Sequence, residues 1–213
     1  MLIPYETVVT KCKPVTGILH VGAHHAEELP CYNQFGVPLT VWVEADPRLA
    51  AGLEQVVCRP PRHRVIWCAA TNIDGPVRLR VTSNGGMSSS LLPLKGHLIR
   101  YPDITESEQI EVPGRRLGPL MDELGIPIGA PGLNLLNLDI QGAELLALEG
   151  LGDKVGKFNT IYMEVNTQEL YEGCAQLPDV DVFLGKFGFV RIMTVMWADH
   201  GWGDALYINQ TAL

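Results

Sequence analysis

Two apolar runs in this chain break off in the same manner, and the pattern around them sets the expected fold. ILHV, residues 18–21, stops at Gly22-Ala23 and gives way to a helical spacing of apolar positions. LNLLNLD, residues 133–139, stops at Asp139 and does the same. Around the first run the order reads strand 17–21, helix 24–35 closed by Gly36 and Pro38, strand 39–44, then a helix over 48–57 opened by Asp46-Pro47. A third strand, 64–70, completes a βαβαβ rhythm, which builds a parallel sheet.

The middle of the chain changes character. Residues 77–81, VRLRV, alternate like an edge strand and run into the loop SNGGMSSSLL. Residues 93–114 show little periodicity apart from a short strand at 109–112. A helix over 117–124 precedes the strand 133–139, which is almost wholly apolar, as a central strand buried on both faces must be. A helix at 143–151 and a strand at 160–165 follow. Strands 189–196 and 205–208 flank the tip TVMWADHGWGD closely enough to be antiparallel neighbours. The expected architecture is α/β: about seven mostly parallel strands with helices on both faces, in one domain spanning 1–213. Residues 1–16 read as an arm or short helix ended by Pro14. Residues 82–114 read as a segment covering a substrate, since long connections in compact domains are often functional.

Composition narrows the class. The 213 residues carry a formal charge of −8, with 46% hydrophobic and 19% charged positions. That balance fits a globular protein and argues against a nucleic-acid-binding surface, which needs clustered Lys and Arg. The one basic cluster, RPPRHR at 59–64, is broken by two prolines and reads as a solvated loop. Cysteines 12, 31, 58, 68 and 174 are odd in number and form no CxxC pair, which suits reduced thiols and a cytoplasmic location. No apolar stretch reaches the ~20 residues of a membrane span, and the first residues lack a secretory pattern.

The strand ends carry the candidate chemistry. Gly22 at a strand-to-helix turn lets a ligand approach the backbone, although a simple tight turn would also explain it. The string G-A-H-H-A-E lacks the second and third glycines of a dinucleotide fingerprint, so a nucleoside without a pyrophosphate fits better. Glu44 ends the second strand, where a carboxylate can accept from both ribose hydroxyls; capping its own helix is the alternative, and Asp46 is the better cap. Ala69 and Ala70 are small where an adenine edge would pass.

Taken together, HVGAHHAEE, VWVEADP, the serine run Ser88-Ser89-Ser90-Leu91, LNLDIQGAELLALEG, IYMEVN and WGDALYIN resemble the FkbM family of methyltransferases across residues 17–209. DIQGAE is the most specific of these strings. The resemblance implies a class I methyltransferase (Rossmann-like) three-layer fold with its last strand antiparallel. It further implies S-adenosylmethionine as methyl donor and a hydroxyl acceptor on a sugar-like or natural-product small molecule. The family usually has Asp at His20, Gly at Ala26 and often Asn at His24. The donor site expected on this basis comprises Gly22, Ala23, His24, Glu44, Ala45, Ala69, Ala70, Ser89 and Asp139.

Transfer to an alcohol requires alignment and removal of one proton. Asp139 would hold the donor's amino group, act as base, or ligate a divalent cation such as Mg²⁺ with Glu164 and Asn166; a polar floor without metal, or a cap on the following helix, would use the same residue. Catalytic candidates are Asp139, Glu164 and His200, the last between Trp197 and Trp202, whose rings could stack on a sugar. His24 and His25 are rival bases, His97 and Tyr101 lie in the irregular middle segment, and Glu144 reads as structural support. Two other classes compete: an NAD(P)-dependent oxidoreductase on a Rossmann sheet, and a non-catalytic nucleoside-binding module. Oligomeric state is not legible in the sequence.

Overall fold

The computed structural model describes residues 2–11, 14–57 and 62–212. A seven-stranded sheet is the centre of the molecule. Its strands are β1 (Ile18–Val21), β2 (Thr40–Glu44), β3 (His63–Trp67), β7 (Leu135–Leu138), β8 (Thr160–Asn166), β9 (Phe189–Met196) and β10 (Trp202–Asn209). They lie side by side in the order β3-β2-β1-β7-β8-β10-β9. The β1, β2, β3, β7 and β8 neighbours pair in parallel, whereas β10 is antiparallel to both β8 and β9. β1, β2, β7 and β8 are buried along their whole length, which explains their near-continuous apolar character.

Helices cover both faces. On one side α5 (Leu117–Glu123), α6 (Glu144–Leu151) and α7 (Leu177–Gly185) contribute Leu120, Leu148 and Leu184 to an apolar core with Leu136 and Ile161. On the other, α1 (Tyr5–Lys11), α2 (Leu29–Gln34) and α3 (Pro47–Val56) pack Val8, Tyr32 and Leu53 against Ile18, Trp42 and Leu135. Asp46 caps α3, accepting from the Arg48 amide at 2.8 Å with Pro47 in the first turn, as its sequence demands. The helix α7 had no counterpart in the sequence reading; its signal is a capping box formed by Gln176 and Asp179 around Pro178.

Three expected elements are corrected. α2 begins at Leu29 rather than at residue 24, because the Gly22 and Ala23 amides are drawn to the Val43 carbonyl and His24 and Ala26 have φ of 43° and 57°. The strand expected over 64–70 divides after Trp67. Its end, β4 (Ala69–Ala70), joins a second sheet of order β4-β6-β5 with β5 (Gly75–Thr82) and β6 (Glu106–Arg115). The alternating VRLRV run is therefore not an edge of the main sheet: Leu79 and Val81 pack with Ala69 and Val112 in a small core of their own. Between β5 and β6 lies a short helix, α4 (Gly96–Arg100). Cys31, Cys68 and Cys174 are free thiols, while Cys12, Cys58 and Arg59, Pro60 and Pro61 of the basic loop lie outside the described residues. No helix among the described residues is long and apolar enough to cross a membrane.

The turn after β1 is the tightest point of the sheet edge. Gly22 has φ +86°, and a Cβ there would stand 1.8 Å from the Asp139 carbonyl oxygen. Gly36 also has a left-handed φ, +65°, but nothing lies within 4 Å of its would-be Cβ. Gly22→Ala is expected to destabilise the protein by about 3 kcal/mol or more through strain and overpacking. Gly36→Ala should cost about 1 kcal/mol. Urea unfolding of both variants checks the difference; equal losses would contradict it.

Candidate active site

A cleft opens where β1, β2 and β7 end. The Asp139 amide donates to the Val21 carbonyl at 3.0 Å, holding the two crossover turns against each other as its floor. Of the donor-site residues expected from sequence, Gly22, His24, Glu44, Ala45, Ala69, Ala70, Ser89 and Asp139 all line this cleft. Ala23 does not; its side chain is buried with Tyr32 and Trp42 beneath α2. Leu49, Cys68, Leu79 and Leu91 complete an apolar wall beside Glu44.

The Glu44 carboxylate is anchored from both sides. Its Oε2 accepts from the His24 amide and its Oε1 from the Asp46 amide, each at 2.8 Å, leaving a further lone pair on each oxygen. Burial pushes its carboxyl up from the usual range, against the pull of those amides. His24 closes the rim. Its Nδ1 meets Glu27 Oε1 at 2.7 Å and its Nε2 donates to the Gly85 carbonyl at 3.2 Å. Both partners are acceptors, an arrangement that favours the doubly protonated ring. Burial opposes that charge, but Glu27 and Gly85 outweigh it and raise the His24 pKa.

Asp139 and Glu164 are joined by a residue that the sequence reading had not singled out. Gln141 Nε2 donates to Asp139 Oδ1 at 2.8 Å and to Glu164 Oε2 at 3.0 Å. Its Oε1 accepts from Tyr171 Oη at 2.7 Å, and its carbonyl accepts from Ser90 Oγ at 2.7 Å. This placement requires φ +57° at Gln141, an uncommon conformation for a side-chain-bearing residue. Glu144 stabilises the turn, accepting with Oε1 from the Ile140 and Gly142 amides at 3.0 and 3.1 Å. Burial raises all three acids: Asp139, Glu164 most strongly in direction, and Glu144, which is pushed up to about 7.

A side-chain amide, not an open gap, therefore separates two of the three residues expected to ligate a cation. Asn166 bonds to neither, and among the described residues no group of three or more His, Cys, Asp or Glu side chains has metal-holding geometry. His200 lies outside the cleft, on the β9–β10 hairpin, with its Nδ1 2.7 Å from Tyr101 Oη. His20 was noted in the sequence only as a departure from the family pattern, yet it lines the cleft. Tyr32 and Asn137 surround its Nδ1 at 2.9 and 3.3 Å, its Nε2 stands 3.8 Å from Glu28, and burial lowers its pKa to about 4. The ring is neutral at physiological pH.

The cleft's charge is one-sided. Its lining holds Glu27, Glu28, Glu44, Asp46 and Asp139, and neither Lys nor Arg among the described residues. A model of the methyltransferase FkbM domain matches residues 20–191. The chain belongs to the FkbM methyltransferase family. Within this family assignment, one relative is the 2-O-methyltransferase NoeI of Sinorhizobium fredii, 29% identical over 173 residues, or 78% of this chain and 69% of that protein. Among solved structures, an FkbM methyltransferase from Methylobacillus flagellatus KT superposes with a TM-score of 0.57 at 16% identity. That match covers 90% of this chain but only 43% of the other, so the FkbM-family domain here spans less than half of that molecule. Magnesium protoporphyrin IX methyltransferase (ChlM) from Synechocystis PCC 6803, solved with S-adenosylmethionine bound, gives 0.53 at 8% identity, over 97% of this chain and 75% of its own. These likenesses establish the class I methyltransferase fold.

The buried groups make stability depend on pH. Glu144, at about 7 when folded against 4.5 for the free group, contributes stability that is lost as pH rises through that interval. His24, also raised, loses its contribution as pH climbs past the ordinary histidine value. His20, lowered to about 4, acts oppositely, but only below about 6.5. Between about pH 4.5 and 7 the thermal midpoint of the unliganded protein should therefore fall relative to that of Glu144→Gln, which lacks the titrating carboxyl. A difference between the two proteins that stays constant over this range would count against the assignment.

Proposed function

We propose that this chain transfers the methyl group of S-adenosylmethionine to a hydroxyl of a sugar-like or natural-product small molecule. The observation that carries the reading is the acid-lined cleft without Lys or Arg, ending at Glu44. S-adenosylmethionine is a nucleoside without phosphate that carries a sulfonium and an ammonium, and such a ligand suits a negative wall. The pyrophosphate of NAD(P) would meet Glu27, Glu28 and Asp139 there with neither Lys nor Arg in the lining to receive it, and that argues against the oxidoreductase alternative. The relative NoeI, named a 2-O-methyltransferase, supports oxygen as the acceptor atom. The net charge of −8 favours a small acceptor over nucleic acid.

Each residue then has a task. Glu44 uses its two free lone pairs for the ribose hydroxyls, and Ala45, Leu49, Ala69, Ala70 and Leu79 enclose the base. Asp139 and Glu28 face the ammonium, with the neutral His20 beside them. The donor, once bound, supplies an activated methyl group. The protein's part is to align a hydroxyl oxygen with it and to take the hydroxyl proton as the new O–C bond forms and the S–C bond breaks. His200, one of the three candidates for the proton acceptor, lies outside the cleft and three ring contacts beyond Gln141's partner Tyr171, which leaves Asp139, in the lining, and Glu164, bonded to Gln141, to take the proton. Gln141 fills the position between Asp139 and Glu164 that a bridging cation would take, so we assign the pair no metal. Residues 83–92, which reach the cleft through Gly86, Met87, Ser89, Ser90 and Leu91, are the part of the 82–114 segment assigned to covering the bound molecules. The free thiols support the cytoplasmic placement.

Glu44→Ala should weaken S-adenosylhomocysteine binding at least tenfold in calorimetry, about 1.4 kcal/mol or more. An unchanged affinity would remove Glu44 from the ribose role. Radiolabelled methyl transfer to a panel of glycosides and polyols should be detectable and insensitive to EDTA. Binding of S-adenosylhomocysteine with no transfer to any hydroxyl would instead favour the non-catalytic module.

A further inference from the structure

Beyond Gln141 a file of aromatic side chains leads away from the cleft to the protein surface. Tyr171, bonded to Gln141, packs on His97 at 5.6 Å between ring centres, and His97 packs on Tyr101 at 4.9 Å. Tyr101 Oη accepts from Trp202 Nε1 at 3.0 Å and meets His200 Nδ1. Trp202 stacks on Trp197, with centres 5.5 Å apart and planes within 17°. Trp197 is 48% exposed.

The hairpin tip that carries these rings is fixed in place. Trp197 and Trp202 are linked by the Trp197 amide to the Trp202 carbonyl at 2.9 Å, and the Thr167 amide holds the Gly201 carbonyl at 2.8 Å. Gly201 lies so close to Gln168 that a Cβ would stand 2.9 Å from its side chain. In the β8–β10 register Trp202 is directly opposite Asn166, so both side chains leave the same face of the sheet. Asn166 is buried, and neither its Nδ2 nor its Oδ1 has a hydrogen-bond partner among the described residues. A buried amide in that condition marks a place where a polar partner is missing.

We propose that the Trp197–Trp202 stack, with Tyr101 and His200 at its margin, is an acceptor subsite that takes a pyranose ring of an oligosaccharide. The proposal rests on the methyl-transfer reading above and names its substrate class. A pyranose ring is apolar on its C–H face and rimmed by hydroxyls, and this surface has the same division: two near-parallel indoles, edged by a phenol and an imidazole. A lipid tail would leave those polar groups unpaired, and a nucleic acid would find no cationic track in a chain of charge −8. Three ring-to-ring steps, Tyr171 to His97 to Tyr101 to His200, separate the Gln141 contact from the stack. Neither Trp197 nor Trp202 lines the cleft itself. The ring seated here is therefore a neighbour of the one methylated, and longer acceptors bind better than monosaccharides.

The test is an array of pyranosyl mono- and oligosaccharides probed with the full chain in the presence of saturating S-adenosylhomocysteine. Retention on a subset of oligosaccharides with quenching of tryptophan fluorescence is expected. Trp197→Ala should reduce that affinity at least tenfold while leaving S-adenosylhomocysteine binding unchanged, and Trp197→Phe should restore most of it. With methyl transfer measured alongside, KM for the oligosaccharide should rise in Trp197→Ala far more than kcat falls. The subsite is overturned if no oligosaccharide is retained by the wild-type protein, or if Trp197→Ala binds the retained ones as tightly. Failure of S-adenosylhomocysteine to bind the wild-type protein would instead overturn the methyl-transfer reading itself.

Discussion

The close approach of two strand ends is the constraint on which the rest depends. Asp139 donates its amide to Val21, and its carbonyl occupies the space a Cβ of residue 22 would need. Because residue 22 is glycine, β1 and β7 can end side by side and their following turns can diverge, one toward Glu44 and the other toward Glu164. That divergence is the cleft. It brings Glu44 and Asp139, from the ends of different strands, into one lining at the carboxyl edge, where open α/β sheets bind their ligands.

Charge gives the cleft its character. Five acids line it beside two histidines, His24 with its pKa raised by two acceptors and His20 kept neutral by burial. Behind them Asp139, Glu144 and Glu164 are kept together by neutral donors, namely the Gln141 side chain and two backbone amides. Burying several acids in one region without a basic partner is unfavourable unless the region serves a cation. A sulfonium-bearing nucleoside would relieve that cost on binding, and this joins the fold's electrostatics to the proposed chemistry.

Much of this was legible in the sequence, for identifiable reasons. Gly22, Glu44 and Asp139 each end an apolar run, so periodicity alone placed them at one sheet edge. The cap Asp46-Pro47 and the antiparallel last strand were equally plain. The entry to α2 was misread because its amides bond to β2, a tertiary contact that local propensity does not record. Gln141 escaped notice because its role arises from a left-handed backbone at a residue that is normally right-handed, together with a partner on the neighbouring strand. The second sheet escaped because VRLRV looks the same at the edge of either sheet. Glu164 stands with Asp139 as a strand-end acid should, whereas His200 belongs to an aromatic hairpin whose cross-strand stacking no spacing rule reveals, and Asn166, the last residue of β8, pairs with that hairpin's Trp202.

The central claim is that the cleft takes a cationic, phosphate-free nucleoside. Calorimetric titration of the unliganded protein with S-adenosylmethionine and, separately, with NAD tests it most directly. Saturable one-to-one binding of S-adenosylmethionine with no heat from NAD is the predicted result. Binding of NAD in the same cleft, at equal or greater affinity, would contradict the account.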